Sequence, residues 1–174
     1  MTRTPAPDLP RAGLPRRIAS LGYETLLAAA IVLAGGFLAA PLVTPAGNVP
    51  GNALALPGPT GRWVGFALVY ALLGAYFVRC WSGGRRTLPM KTWRMRLVRD
   101  DDSGEVGFRR ALARYLAAGI GPALASAAYA WAPSAWVWAI AAVGWVWALA
   151  DPKRAFLHDR MAGTRLVADQ RPAA

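Results

Sequence analysis

The sequence is poor in most of what builds a chemical site. It holds one cysteine, Cys80, so no intrachain disulfide can form. It holds one histidine, His158, so a zinc centre of His and Cys ligands has almost nothing to draw on. Charge is scarce as well: 17% of the 174 residues are charged, against about a quarter in a soluble domain. Acidic groups are the scarcest, 9 Asp and Glu against 20 Lys and Arg, for a formal charge of +11. These shortages exclude or disfavour zinc hydrolases, disulfide-stapled secreted domains and disordered tails. There is no Ser-centred nucleophile motif, no HExxH and no pair of membrane aspartates. Gly83-Gly84-Arg85-Arg86-Thr87 lacks the GxxxxGK[ST] spacing of a phosphate loop. The expectation is a protein that is not an enzyme and carries no metal or other cofactor.

Apolar residues make up 55% of the chain, with 8 Trp, and they fall in four runs. The first, Ile18 to Val43, has Glu24 as its only formal charge. It exceeds the roughly 20 apolar residues that a membrane crossing needs, and it is too long for a signal-peptide core of about 7–15 residues. The second, Trp63 to Val78, lies between Arg62 and Arg79, with Trp63, Tyr76 and Trp81 placed as interfacial rings. The third, Tyr115 to about Trp131, contains Pro122. The fourth, about Ala135 to Ala150, carries Trp136, Trp138, Trp145 and Trp147. Only Trp131–Ser134 separates the last two, which suggests a tight helical hairpin. The fourth run spans about 24 Å as a helix, short of a hydrocarbon core of about 30 Å.

The cations follow the same map. Four Lys or Arg precede the first run, ten lie between Arg79 and Arg114, and five follow the fourth; only Arg62 lies elsewhere. With four crossings, every group but Arg62 falls on one side, and the positive-inside rule puts that side in the cytoplasm. The predicted fold class is an all-α membrane protein. It is a small bundle of about four transmembrane helices with both termini cytoplasmic. A basic cytosolic loop includes short extended segments. Residues 1–15 read as a mobile cytosolic tail, 16–167 as the membrane domain and 168–174 as a C-terminal tail.

Within the loop, Trp93, Met95 and Leu97 alternate with Arg94 and Arg96, the period of an extended segment with one apolar face. Asp100–Gly104 then reads as a turn. Lys91, Arg94, Arg96 and Arg99 are candidates to lie on anionic headgroups, each contributing about 1 kcal/mol. RNA is the sharper alternative. The basic residues are spread over every cytosolic piece, as topology signals are, so no nucleic-acid partner is expected.

Glu24 stands out, because an ionisable group inside a membrane helix is costly unless paired, solvated or protonated. Arg17 lies seven positions earlier, within about 20° of the same helix face but about 10 Å away along the axis. That is long for a direct pair, so a shared water or third partner is expected between them. Arg17 also suits a positive-inside anchor, and Glu24 a helix–helix contact. Arg114 and Asp151 close the third and fourth runs, and an ion pair between them is the default reading. Neighbours on a helix point about 100° apart, so His158 and Asp159 do not form an acid–base dyad by themselves.

These residues resemble the RDD family of prokaryotic integral membrane proteins, named for one Arg and two Asp. Arg16-Arg17-Ile18-Ala19 matches the start of its first helix, with Arg17 at the Arg position. Glu24 stands at the first Asp position, one methylene longer. Gly84 to Lys91 and Arg96-Leu97-Val98 look like its middle loop, and Arg114 matches a downstream Arg. Leu157-His158-Asp159-Arg160-Met161-Ala162-Gly163-Thr164-Arg165-Leu166-Val167 resembles its closing motif, with Asp159 as the second Asp. The resemblance implies an α-helical protein of the bacterial inner membrane, with cation/proton exchange proposed for some members.

Two functions follow as expectations. One is a small transporter or transporter subunit, in which Glu24, near Arg17 and with Asp159 approaching from the cytosol, exchanges a proton for a monovalent cation. A path through so few helices needs a homo-oligomer or a membrane partner. The other is a non-transporting scaffold or assembly factor, in which Arg17, Glu24, Asp159 and Arg114 form a structural polar network. In both readings the lipid bilayer with its anionic headgroups is a partner.

Overall fold

A computed structural model describes residues 9–44 and 57–169. The chain is mostly helical. Helices α1 (Leu14–Val43) and α2 (Pro59–Trp81) come first, then the short α3 (Leu88–Thr92) and strand β1 (Met95–Arg99). Helix α4 (Phe108–Trp131), a 3-10 turn at Ala135–Trp138, α5 (Ala139–Ala150), α6 (Leu157–Ala162) and strand β2 (Thr164–Ala168) complete the order. The chain divides into two compact units, Gly22–Tyr76 and the remainder.

Among the described residues, α1 and α2 are the two helices long and apolar enough to cross a membrane, and only 11% and 6% of their most apolar windows are buried. A core helix of a soluble protein shows the reverse. In the Gly22–Tyr76 unit, Leu33, Phe37, Leu38 and Leu42 of α1 and Trp63 and Phe66 of α2 are exposed. Gly35 and Gly61 let the two helices approach closely. A Cβ on Gly35 would lie 3.0 Å from the Leu72 side chain, and one on Gly61 would lie 2.5 Å from the Val43 carbonyl oxygen.

In the other unit, α4 and α5 pack as the expected hairpin. Gly121 is the point of closest approach, since a Cβ there would sit 3.0 Å from the Ala141 carbonyl oxygen. Pro122 lies inside α4, and the Ser126 hydroxyl donates to its carbonyl at 2.8 Å. Leu112, Leu116, Ile120 and Leu124, four residues apart, form an exposed apolar stripe along α4. The fourth run opens as a 3-10 turn before α5 begins, so its regular helix is shorter than expected.

The alternating loop residues do form a strand. β1 pairs antiparallel with β2, with Met95 opposite Ala168, Leu97 opposite Leu166 and Arg99 opposite Thr164. Met95 and Leu97 are buried, as the period predicted; Trp93 precedes the strand and is exposed. Met90, Val98, Val106 and Val167 fill the core of this αβ module. Thr87 caps α3, its hydroxyl accepting from the Met90 amide at 3.3 Å.

The ends of the chain are tied in further than the tail reading allowed. Arg11 bridges to Val167, the Ala12 amide donates to the Leu166 carbonyl at 3.0 Å, and the Ala168 amide donates to the Pro10 carbonyl at 3.0 Å. β2 therefore has a neighbour on each edge. Asp169 is also held, its amide donating to the Arg94 carbonyl at 2.8 Å and its carboxylate pairing with Arg86. Residues 1–8 and 170–174 of the two expected tails lie outside the described residues.

Candidate functional site

α1, α4 and α6 each deliver one charged side chain to a single buried point. Arg17 lies in the first turn of α1, Arg114 in the second turn of α4 and Asp159 in α6. They are 6%, 3% and 1% exposed. Arg114 Nε donates to Asp159 Oδ1 at 2.7 Å, and Arg17 Nη2 stands 3.6 Å from Asp159 Oδ2. Arg17 also donates through Nη1 to the Arg154 carbonyl. Arg17 thus pairs with Asp159 and not directly with Glu24.

The triad holds two guanidiniums to one carboxylate, an excess of positive charge that burial penalises. Two aromatic rings offset part of it. The Arg17 guanidinium lies 4.1 Å above the centre of the Phe156 ring, and that of Arg114 lies 4.0 Å above Trp81. The negative face of each ring attracts the cation, by about 2 kcal/mol when desolvated. Sequence reasoning placed Trp81 as an interfacial ring; it is instead buried beneath Arg114. Phe156 was missed altogether, because nothing in the sequence distinguishes it from any other aromatic.

His158 completes the cluster. Its ring stacks on Phe156 with centroids 5.5 Å apart, and its Nε2 lies 3.4 Å from Arg114 Nη2. Burial pushes the imidazole down to about 4, so it is neutral near pH 7. In the tautomer protonated on Nδ1, its Nε2 accepts from Arg114. Burial pushes the Asp159 carboxyl up, but the Arg114 guanidinium, with His158 and Arg17, outweighs this and holds it below the usual carboxylate range. Asp159 is therefore a fixed anion rather than a proton carrier at neutral pH.

The closing motif has a local geometry that explains its residue types. Gly163 ends α6 in the left-handed region at φ 62°, where side chains with a Cβ are disfavoured. The chain then turns into β2, and the Thr164 hydroxyl donates back to the Asp159 carbonyl at 3.3 Å. The motif by itself assigns Thr164 no role; its place directly after the glycine is the available signal. Gly163→Ala is expected to destabilise the protein by about 1 kcal/mol through backbone strain alone, since no atom lies within 4 Å of the added Cβ. Thermal unfolding of the purified protein checks this, and an unchanged midpoint would contradict it.

The expected ion pair between Arg114 and Asp151 does not form. Arg114 turns to Asp159, while Asp151 accepts from Arg160 and from the Ala155 amide at 2.9 Å. The two carboxylates exchange partners because α6 folds back against α4 and brings Asp159 to Arg114. Glu24 lies further along α1, in the Gly22–Tyr76 unit, and is half-buried. Among the candidate headgroup contacts, Lys91 and Arg94 are exposed and Arg96 is half-exposed. Arg99 is drawn away by the acidic turn, pairing with Asp102 and lying 3.7 Å from Asp101. Among the described residues no group of His, Cys, Asp and Glu could hold a metal ion.

A family model described as RDD family matches residues 11–163. No curated protein and no solved structure matches the chain. The matched span includes Arg17, Glu24, Arg114 and Asp159, and on this ground the chain belongs to the RDD family, whose members are membrane proteins.

Proposed function

We propose that this chain is a four-pass protein of the bacterial inner membrane, with both termini in the cytoplasm, that acts as a scaffold. Its helices anchor an αβ module at the cytoplasmic face for assembly with a second copy or a membrane partner. The observation that carries the scaffold reading is the buried Arg17–Asp159–Arg114 triad. Its one carboxylate is shared by two guanidiniums that also rest on aromatic faces, and it stays ionised near neutrality, as suits a clasp better than a proton relay. The four-pass reading is supported by the one-sided distribution of Lys and Arg and by exposed tryptophans. Trp63 opens α2, and Trp131 and Trp136 flank the α4–α5 turn, at 73%, 92% and 87% exposure. Lys91 and Arg94 are the residues best placed to meet anionic headgroups. No enzymatic role is proposed, since His158 is neutral and already engaged by Arg114.

The second reading is cation/proton exchange, and Glu24 favours it, as a half-buried carboxylate within the apolar α1. One experiment separates the two. The protein is reconstituted into liposomes with a trapped pH dye, and gradients of Na⁺, K⁺ or Li⁺ are imposed on wild type and Glu24→Gln. Scaffolding predicts no proton movement in wild type with insertion verified, and altered stability or partner recovery in Glu24→Gln. Proton movement in wild type that disappears in a folded, inserted Glu24→Gln would replace scaffolding with exchange.

A further inference from the structure

The αβ module contains a cavity of about 130 Å³ that the triad does not use. It lies between the Gly83–Arg86 loop, β1, the Ser103–Glu105 turn and Asp169. Its size is close to that of an engineered cavity of about 150 Å³ that takes up benzene, so it has room for a small organic group. Gly84 helps to keep it open. Gly84 is in the left-handed region at φ 69°, and a Cβ there would come within 2.6 Å of Glu105 Oε1.

Four charged side chains line this cavity, two of each sign: Arg86, Arg96, Glu105 and Asp169. Arg86 and Asp169 pair directly and cancel. Arg96 and Glu105 remain. Neither forms an ion pair with the other or with any other described residue, and Arg96 Nε is buried without a hydrogen-bond partner. One guanidinium and one carboxylate thus face a shared space in which neither neutralises the other. A simple anion would satisfy Arg96 and be repelled by Glu105; a simple cation would meet the opposite fault.

We infer that this cavity binds a compact zwitterion, its anionic oxygen atoms on Arg96 and its ammonium on Glu105. The same chemistry is offered by an ethanolamine phospholipid headgroup and by a free molecule such as phosphoethanolamine. The inference does not rest on the scaffold reading, because the cavity shares no residue with the triad.

The test uses the full chain purified in detergent. Calorimetric titration with phosphoethanolamine is compared with inorganic phosphate, ethanolamine and phosphocholine, whose trimethylammonium cannot donate to Glu105. Retention of phosphatidylethanolamine, phosphatidylcholine and phosphatidylglycerol from mixed nanodiscs is read by native mass spectrometry. Saturable binding of phosphoethanolamine, or selective retention of phosphatidylethanolamine, is expected. Arg96→Gln and Glu105→Gln should each weaken it about tenfold, the loss of one charge-assisted hydrogen bond. Arg109→Gln, on an exposed position of α4 outside the cavity, should leave it unchanged, and unaltered circular dichroism establishes that each variant folds. Binding only of the soluble molecule identifies a free ligand; selective lipid retention identifies the headgroup. Phosphate or phosphatidylglycerol held equally well, with Glu105→Gln without effect, would overturn the zwitterion in favour of a plain anion. Absence of saturable binding in both arms would overturn the site.

Discussion

Asp159→Asn is expected to destabilise the protein by about 3–5 kcal/mol, the cost of stranding buried charge. The side chain is almost isosteric, so no cavity opens. What changes is that two guanidiniums, 6% and 3% exposed, lose their shared carboxylate. Asparagine can still accept one hydrogen bond from Arg114 but carries no charge to offset either cation. The Phe156 and Trp81 faces remain and recover part of the cost. Replacement of a single arginine should be milder for Arg17 than for Arg114. Arg17 stands 3.6 Å from the carboxylate, whereas Arg114 makes a 2.7 Å bond to it. The measurement is denaturant or thermal unfolding in detergent, with Asp159→Asn, Arg17→Gln, Arg114→Gln and the double variants compared. Coupling energies near zero between Asp159 and both arginines would show that the triad is not a clasp.

Between pH 6.5 and about 4 the protein should lose up to about 3 kcal/mol of stability, and His158 should be the cause. The sign follows from burial. The folded imidazole titrates at about 4 and the unfolded one at 6.5, so in this window the unfolded chain binds the extra proton. Acid therefore favours unfolding, and stability rises with pH until the window closes at 6.5. Asp159 acts in a lower range. Its folded carboxyl is held below the usual value, so its contribution is present above the unfolded pKa of about 3.9 and is lost as the pH falls further. Melting midpoints measured from pH 7 to 4.5 should fall in wild type and stay nearly level in His158→Gln. A fall of equal size in that variant would assign the acid sensitivity to other groups.

The apolar runs, the extended segment after Trp93 and the acidic turn were all legible in the amino-acid order. Each depends on local periodicity or on residues adjacent in the chain, and such features survive without knowledge of distant neighbours. Arg17 and Asp159 could also be named, because position on a helix and membership of a compact motif are sequence properties. Their partners could not. By sequence Arg114 reads as the partner of Asp151, and the return of α6 onto α4 gives it Asp159 instead. Arg114 and Arg17 cover Trp81 and Phe156, pairings that no sequence spacing announces, while the docking of Pro10–Ala12 on β2 ties down residues that composition marks as a tail. Arg99 shows the rule from the other side: a basic residue in a basic loop reads as free for lipid until a turn places two aspartates beside it. Membrane character was written in composition because lipid selects for apolar side chains wherever they stand. Which charges neutralise one another was decided in three dimensions, because Coulomb attraction and burial depend on distance in space rather than separation along the chain.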